Sequence, residues 1–301
     1  MRKVVLVLGA AVASLGLAAC GTSAKATINT SIASLGAQSD LQIHFTAHVS
    51  GSGTAEAQDV LNVVSVDVHY VNPSGSPISQ ASTKDDGEIT LNVGAKTLLD
   101  VRVVDGNAYL NVDLTAVNSI PGIPLTAQDQ SELAAAQLLL GGKWFEVPAQ
   151  LIKSEIPKSS SVNPAETAKV KGIEVKIFDA LAKLIDDGHA KSLAGGGYSE
   201  KGTLESVVQA VLPTIEGLDP SVTPPSNVKG TYTLTLTNSG SVATGASISI
   251  TAPQGNASLG NATVGLTATV THDNDPVVVP TDVTVITPAL IQQLEGSATS
   301  L

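Results

Sequence analysis

The chain has 301 residues, of which 43% are hydrophobic, 14% charged and only 3% aromatic, and its formal net charge is −11. An acidic chain without a basic run is a poor partner for nucleic acid, and its own charge does not hold it on anionic lipid. The length suits one large domain or two modest ones, and an interior this poor in aromatics must be built from Val, Leu, Ile and Ala. Abundant Thr, Ser, Gly and Val point to a β-rich extracytoplasmic fold.

At the N-terminus Arg2 and Lys3 form a positive region, followed by an uncharged apolar stretch from Val4 to Leu17. That stretch is too short and too rich in Ala and Gly for a permanent span, so residues 1–19 read as a signal peptide outside the fold. Leu17-Ala18-Ala19-Cys20-Gly21 then reads as a lipobox, with small residues before the cut and a thiol to accept diacylglycerol. Cys20 is the only cysteine; it has no intramolecular disulfide partner and stands at the one position where lipidation requires a thiol. A diacylglyceryl unit brings two acyl chains, enough for stable anchoring at the outer face of the cytoplasmic membrane. Removing Arg2 and Lys3 leaves 14 basic against 27 acidic residues, a formal −13. No later apolar segment has spanning length; the longest, around Leu133–Leu140, is broken by Gly141-Gly142.

Residues 20–40 are expected to form the lipidated N-terminus and a flexible tether, helical at most near Ile28–Leu35. From Leu41 the apolar residues adopt a period of two. Ile43, Phe45, Ala47 and Val49 alternate with Gln42, His44, Thr46 and His48, and Val64, Val66, Val68 and Tyr70 alternate with Ser65, Asp67 and His69. Ile89, Leu91 and Val93 make a third run. Leu99, Val101 and Val103 lead to Asp105-Gly106 and on to Ala108, Leu110, Val112 and Leu114, the pattern of a hairpin with a two-residue type I′ turn. Lys143–Val147 is a short strand with the single tryptophan, Trp144.

The period then changes. Val170, Ile173, Ile177, Phe178, Leu181, Leu184 and Ile185 fit one helical stripe, and Leu204, Val207, Val208, Val211, Leu212 and Ile215 fit another. Ala194–Gly197 reads as a flexible connector and Asp219–Pro225 as a break. Strands return with Tyr232, Leu234 and Leu236, then Ile248 and Ile250, then Val264, Leu266, Ala268 and Val270, and finally Val277–Val285 interrupted by Pro280. Thr287-Pro288 resembles a helix start. Residues 41–301 are thus expected to form one domain, with strands over 41–147, helices over 148–217, strands over 228–286 and a terminal helix over 287–296. Such one-faced strands need a cover, which gives an α+β fold: a curved antiparallel β-sheet, an open half-barrel, with helices packed in its concave face.

With its lipobox, its one-faced strands and its helices between two strand blocks, the chain resembles the LppX/LprG-type lipoproteins of actinobacteria, and more distantly the LolA/LolB half-barrel carriers. The local carriers of the resemblance are Val103-Val104-Asp105-Gly106-Asn107-Ala108-Tyr109 and Gly142-Lys143-Trp144-Phe145-Glu146-Val147. The resemblance implies a cavity between sheet and helices that holds the acyl chains of a lipid or lipoglycan. Its lining would comprise Phe45, Val66, Val68, Leu91, Val101, Leu110, Ile177, Leu181, Val208, Val211, Leu234 and Leu266. The same aliphatic residues suit a filled core equally well, as in a structural or accessory lipoprotein that binds an envelope protein.

Other constellations have plainer readings. His44, His48 and His69 with Asp67 lie on polar strand faces and are expected to form a solvated row, because residues four apart on a strand are far apart for one metal ion. Asp273-Asn274-Asp275 lacks the spaced ligands of a calcium loop and reads as a turn. The adjacent pairs Asp85-Asp86 and Asp186-Asp187 point apart in regular structure. Gly195–Gly197 reads as a linker, with a mobile lip over a cavity as the alternative. No G-x-S-x-G, HExxH or Walker motif occurs, so the expectation is a non-enzyme without metal or cofactor.

Overall fold

The computed structural model describes residues 30–51, 54–80, 85–121, 125–155, 190–207, 229–252, 262–272 and 275–287, except 32 and 195, together with 209 and 289. Signal peptide, Cys20, most of the two helical stripes and most of the terminal helix therefore lie outside the described residues.

The period-two runs become strands. Asp40–Ser50 (β1), Val64–Val71 (β2), Asp86–Val93 (β3), Lys96–Val104 (β4), Asn107–Val112 (β5) and Trp144–Val147 (β6) form an antiparallel meander. Lys191–Ser192 (β7), Gly197–Thr203 (β8), Thr231–Ser239 (β9), Val242–Thr251 (β10) and Thr263–Thr271 (β11) form a second one, which joins the first through β11 and β1. Val283–Val285 (β12) adds in parallel to β6. All belong to one curved, unclosed 12-stranded sheet in the order β12-β6-β5-β4-β3-β2-β1-β11-β10-β9-β8-β7. The hairpin at Asp105-Gly106 is present, with φ of 51° and 81° at its two central residues, as a type I′ turn demands.

The register carries the apolar set of each strand onto one face. Val112, Leu99, Leu91, Val66, Phe45, Ala268, Ala246, Leu236 and Tyr198 follow one another across the sheet from β5 to β8. A slip of one residue in any strand would turn its valines and leucines to the other side, so burial of this face fixes the pairing.

The strands have two ends. At the proximal end lie the start of β1 and the turns at Asn72–Gly75, Asp105-Gly106 and Gly240. The distal end holds helix α1 (Ala55–Leu61), the turn at Gly94 and helix α2 (Ala127–Leu140). The distal connections are pinned to the strand ends: Asn62 donates to Val49 O and accepts from Val49 N at 2.7 Å, and Gly141 bridges to Val112.

Four expectations change. The folded unit begins before residue 41: residues 30, 31 and 33–36 are helical, Leu35 packs with Leu41, Ile43, Tyr70 and Ile78, and the fully buried Ser31 accepts from Asn238 Nδ2 at 2.7 Å. The proximal end of the apolar face needs a lid, and the C-terminal part of the expected tether supplies it. Helix α2 falls within the block expected to hold only strands. Its Ala, Leu, Gln and Glu residues favour a helix, and Thr126 and Asp129 close a capping box, but no apolar stripe marks it and none of its residues is buried. Conversely β7 and β8 fall within the block expected to be helical. In β8, Gly197 (φ 103°) and Gly202 look like connector residues, yet they permit close pairing, since a Cβ at Gly202 would collide with the Tyr232 ring.

The fourth change concerns the polar face, which is not wholly solvated. Residues 275–282 cross it as a strap before joining β6 as β12. Val277 is buried against Val104 and Tyr109, with Val71, Trp144 and Val283 around them. Arg102 fastens the strap by donating from Nη1 to Val278 O at 3.0 Å.

Replacing Ser31 by Ala strands the buried Asn238 amide, and we expect a loss of about 1–3 kcal/mol in urea unfolding. An equal midpoint for variant and parent would show that the N-terminal turn is not part of the cooperative fold.

Candidate functional site

Eight of the residues expected to line a cavity are described, and all eight share the apolar face. Phe45, Val66 and Leu91 lie in the row given above. Val68 and Val101 flank Ile89 in the next row, which continues to Leu110 and Phe145. Leu266 and Leu234 flank Ile248 in a third row that begins at Ala47. Ile177, Leu181, Val208 and Val211 lie outside the described residues.

This face is covered unevenly. Val68 and Val101 are each 7% exposed, whereas Leu266 is 55% and Val264 42% exposed. The N-terminal turn seals the proximal end, the distal ends of β1, β3 and β9 are buried too at Val49, Val93 and Tyr232, and the aliphatic surface is exposed locally on β11. What such a surface does chemically is simple: it takes up methylene chains, with roughly 0.8 kcal/mol for each CH₂ removed from water.

Sequence reasoning missed one polar feature of this face. The row Ala47–Leu266–Ile248–Leu234 ends on Glu200, 4% exposed, which accepts from the Tyr232 hydroxyl at 3.2 Å. The signal was hidden because Glu200 stands between the Ala194–Gly197 connector and the second helical stripe, in the block expected to be helical, and only its pairing with Leu234 assigns it to a face. Gly197 opens β8, paired to Thr237, and Gly196 lies in the turn before it, donating from N to Leu193 O at 3.2 Å; Gly195 lies outside the described residues.

On the polar face the histidines separate. His44 sits opposite Asp67 and their side chains meet at 2.5 Å, while Asn92 Nδ2 holds the other Asp67 oxygen at 2.6 Å. His48 faces Gly265, and His69 is buried opposite Gln42. Among the described residues no three His, Cys, Asp or Glu side chains are grouped to hold a metal ion. Asp85 accepts from the Tyr70 hydroxyl, and Asp86 accepts from Asp105 N at 3.2 Å, so this adjacent pair points apart. Asp186-Asp187 and Asp273-Asn274 lie outside the described residues.

The densest charge cluster is Arg102 with Glu88 at 3.0 Å and Asp100 at 2.9 Å, its guanidinium carbon 4.8 Å from the Trp144 ring centre. Its geometry is that of a clamp: one cation holds two carboxylates, a ring and the strap carbonyl. Burial raises the Glu88 carboxyl above its ordinary value; the Asp100 charge adds to the rise and Arg102 opposes it. Burial likewise raises the Tyr70 hydroxyl, with its bond to Asp85 contributing.

No family model matches the chain, and no curated protein does. Among solved structures, the crystal structure of lipoprotein LppX from Mycobacterium tuberculosis is similar over 85% of this chain and 97% of that one, at 12% identity and a TM-score of 0.30. At that score the functional reading rests on the residues of the sheet and not on the likeness.

A carboxyl raised in the fold binds protons more tightly than in the unfolded chain, so its contribution to stability is fullest below its unfolded value and is lost as pH rises through the folded one. We expect Glu88 to titrate above the ordinary carboxylate range in carboxyl-carbon NMR, and the pH dependence of stability in that window to flatten in Glu88→Gln. A Glu88 titration at or below the ordinary range would contradict this burial of the clamp.

Proposed function

We propose that this chain is a lipid-anchored extracytoplasmic lipoprotein that binds or carries a lipid or lipoglycan without catalysing a reaction. Its acyl chains lie on the apolar face of the sheet. The observation that carries the reading is the continuity of that face: aliphatic side chains run in register across the strands and remain open at Val264 and Leu266. Ligand pockets for apolar molecules combine a wide hydrophobic wall with few polar groups, and Glu200 with Tyr232 is such a group on this wall. The Cys20 lipobox adds an anchor at the membrane, where acyl chains are found. Among the described residues no helix is long and apolar enough to cross a bilayer.

A second reading has its own support. Leu41, Ile43, Val49, Val68, Val93 and Val101 are each 7% exposed or less, so a large part of the face is already a filled core. If the remainder is filled too, the chain is a surface lipoprotein that acts through an envelope protein partner.

Protein purified from a native-like host should carry extractable lipid in mass spectra, and Leu266→Trp or Leu234→Trp should reduce that load while leaving the protein folded. A lipid-free extract from well-folded parent protein would sink the carrier reading and leave the accessory one. Cys20→Ser should abolish acylation and release the protein from membranes without emptying the apolar face; acylation that persists in this variant would overturn the anchor assignment.

A further inference from the structure

The strap of residues 275–282 is seated among buried carboxyls. Strand register sets out the groups beneath it in rows on the polar face. One row runs Asp40, Val71 and Asp86, and the next runs Gln42, His69, Glu88, Arg102, Tyr109 and Glu146. Val71 and Tyr109 also belong to the small core that holds Val277 of the strap, so the strap rests directly between these acidic groups. Asp40, Asp86, Asp100 and His69 are all buried. Asp40 Oδ2 and His69 Nε2 have no hydrogen-bond partner among the described residues.

Charge in this cluster is unbalanced. Asp40, Asp86, Glu88, Asp100 and Glu146 share one permanent cation, Arg102, together with the imidazole of His69. Asp85 and Asp105 add further carboxylates beside Asp86, and the strap brings only the exposed Asp275 and Asp282. Burial raises the carboxyls of both Asp86 and Glu88. The charges of Asp105 and Asp85 add to the first rise and that of Asp100 to the second; the Asp105 amide and Arg102 oppose them. A carboxyl of this kind favours burial while protonated and favours water once ionised. Residues 275–282 belong to no strand. Lifting them therefore admits water to the cluster without breaking a sheet ladder, at the expense of the Arg102–Val278 bond and the burial of Val277.

We propose that the strap is a pH-sensitive latch, closed over Asp86 and Glu88 while their carboxyls are protonated and lifted as both ionise. Closure is fullest below the ordinary carboxylate range and is lost as pH rises through the higher folded values. Lifting uncovers Val71, Val104 and Tyr109 and frees Arg102 Nη1, so this patch of the polar face becomes accessible only at the higher pH.

Trp144 is the only tryptophan and lies between Arg102 and the strap core, so its accessibility reports the latch. In the purified protein, acrylamide quenching of Trp144 should rise about twofold or more between about pH 4.5 and about pH 8, with far-UV circular dichroism unchanged. The double variant Asp86→Asn/Glu88→Gln should quench weakly at both pH values. Glu88→Gln alone should show a reduced rise, which keeps the test decisive if the double variant does not fold. His69→Gln should leave the rise in place. Quenching in the parent that is flat or falls with pH overturns the latch, as does a rise accompanied by loss of the strand signal. A rise kept in the double variant but abolished by His69→Gln assigns the titration to the imidazole and overturns it as well.

Discussion

A sheet with one aliphatic face cannot leave that face in water. Most of this molecule can be read as a response to that constraint. The alternating runs of β1 to β6 and β9 to β11 set most of their valines, leucines and isoleucines on the same side, in a sheet that runs unclosed from β12 to β7. At the proximal end the residues before β1 supply a cover, with Leu35 seated among Leu41, Ile43 and Tyr70 and Ser31 bonded to Asn238. Toward the distal end Leu266 stays more than half exposed. Val49 and Val93 at the same end are buried, so the exposure is local to β11.

The polar face answers a different demand. Arg102 is brought within bonding distance of Glu88 and Asp100 while it lies against Trp144 and reaches the Val278 carbonyl. Removing a cation with this many partners would leave the buried Asp100 and the half-buried Glu88 without compensation, so such a cluster is costly to break even where its net contribution to stability is modest. Its effect is to tie the C-terminal strap to β4 and so to place β12 beside β6. A second small core around Val277 and Tyr109 completes that fastening.

Much of the strand architecture was legible because alternation is a local signal. The hairpin at Asp105-Gly106 could be read from two residues and the runs on either side, since few other pairs accept positive φ at both positions. The misread elements were those in which a local signal competed with a distant one. β8 starts on the last residue of the Ala194–Gly197 connector and continues into the block expected to be helical; its strand conformation comes from β9 and from the Tyr232 ring that needs Gly202 beneath it. Helix α2 has helix-forming residues without a stripe, so periodicity overlooked it although its capping box is written plainly as Thr126 and Asp129. Val104 and Tyr109 occupy positions that alternation assigns to water, and only the strap explains their burial.

The sequence by itself determined the acidic and aromatic-poor composition, the single cysteine at position 20 after small residues, the period of two and hence a one-faced antiparallel sheet. These follow from neighbours a few residues apart. Only the tertiary structure decided which strands meet, that Glu200 shares a face with Leu234, and that the N-terminal turn belongs to the fold. It also decided which charges become neighbours: Arg102 meets Glu88 and Asp100, and Asp67 meets His44. The physical reason is the same in each case. An antiparallel meander returns to the same edge every two strands, so residues dozens of positions apart become neighbours there, and no local pattern records it.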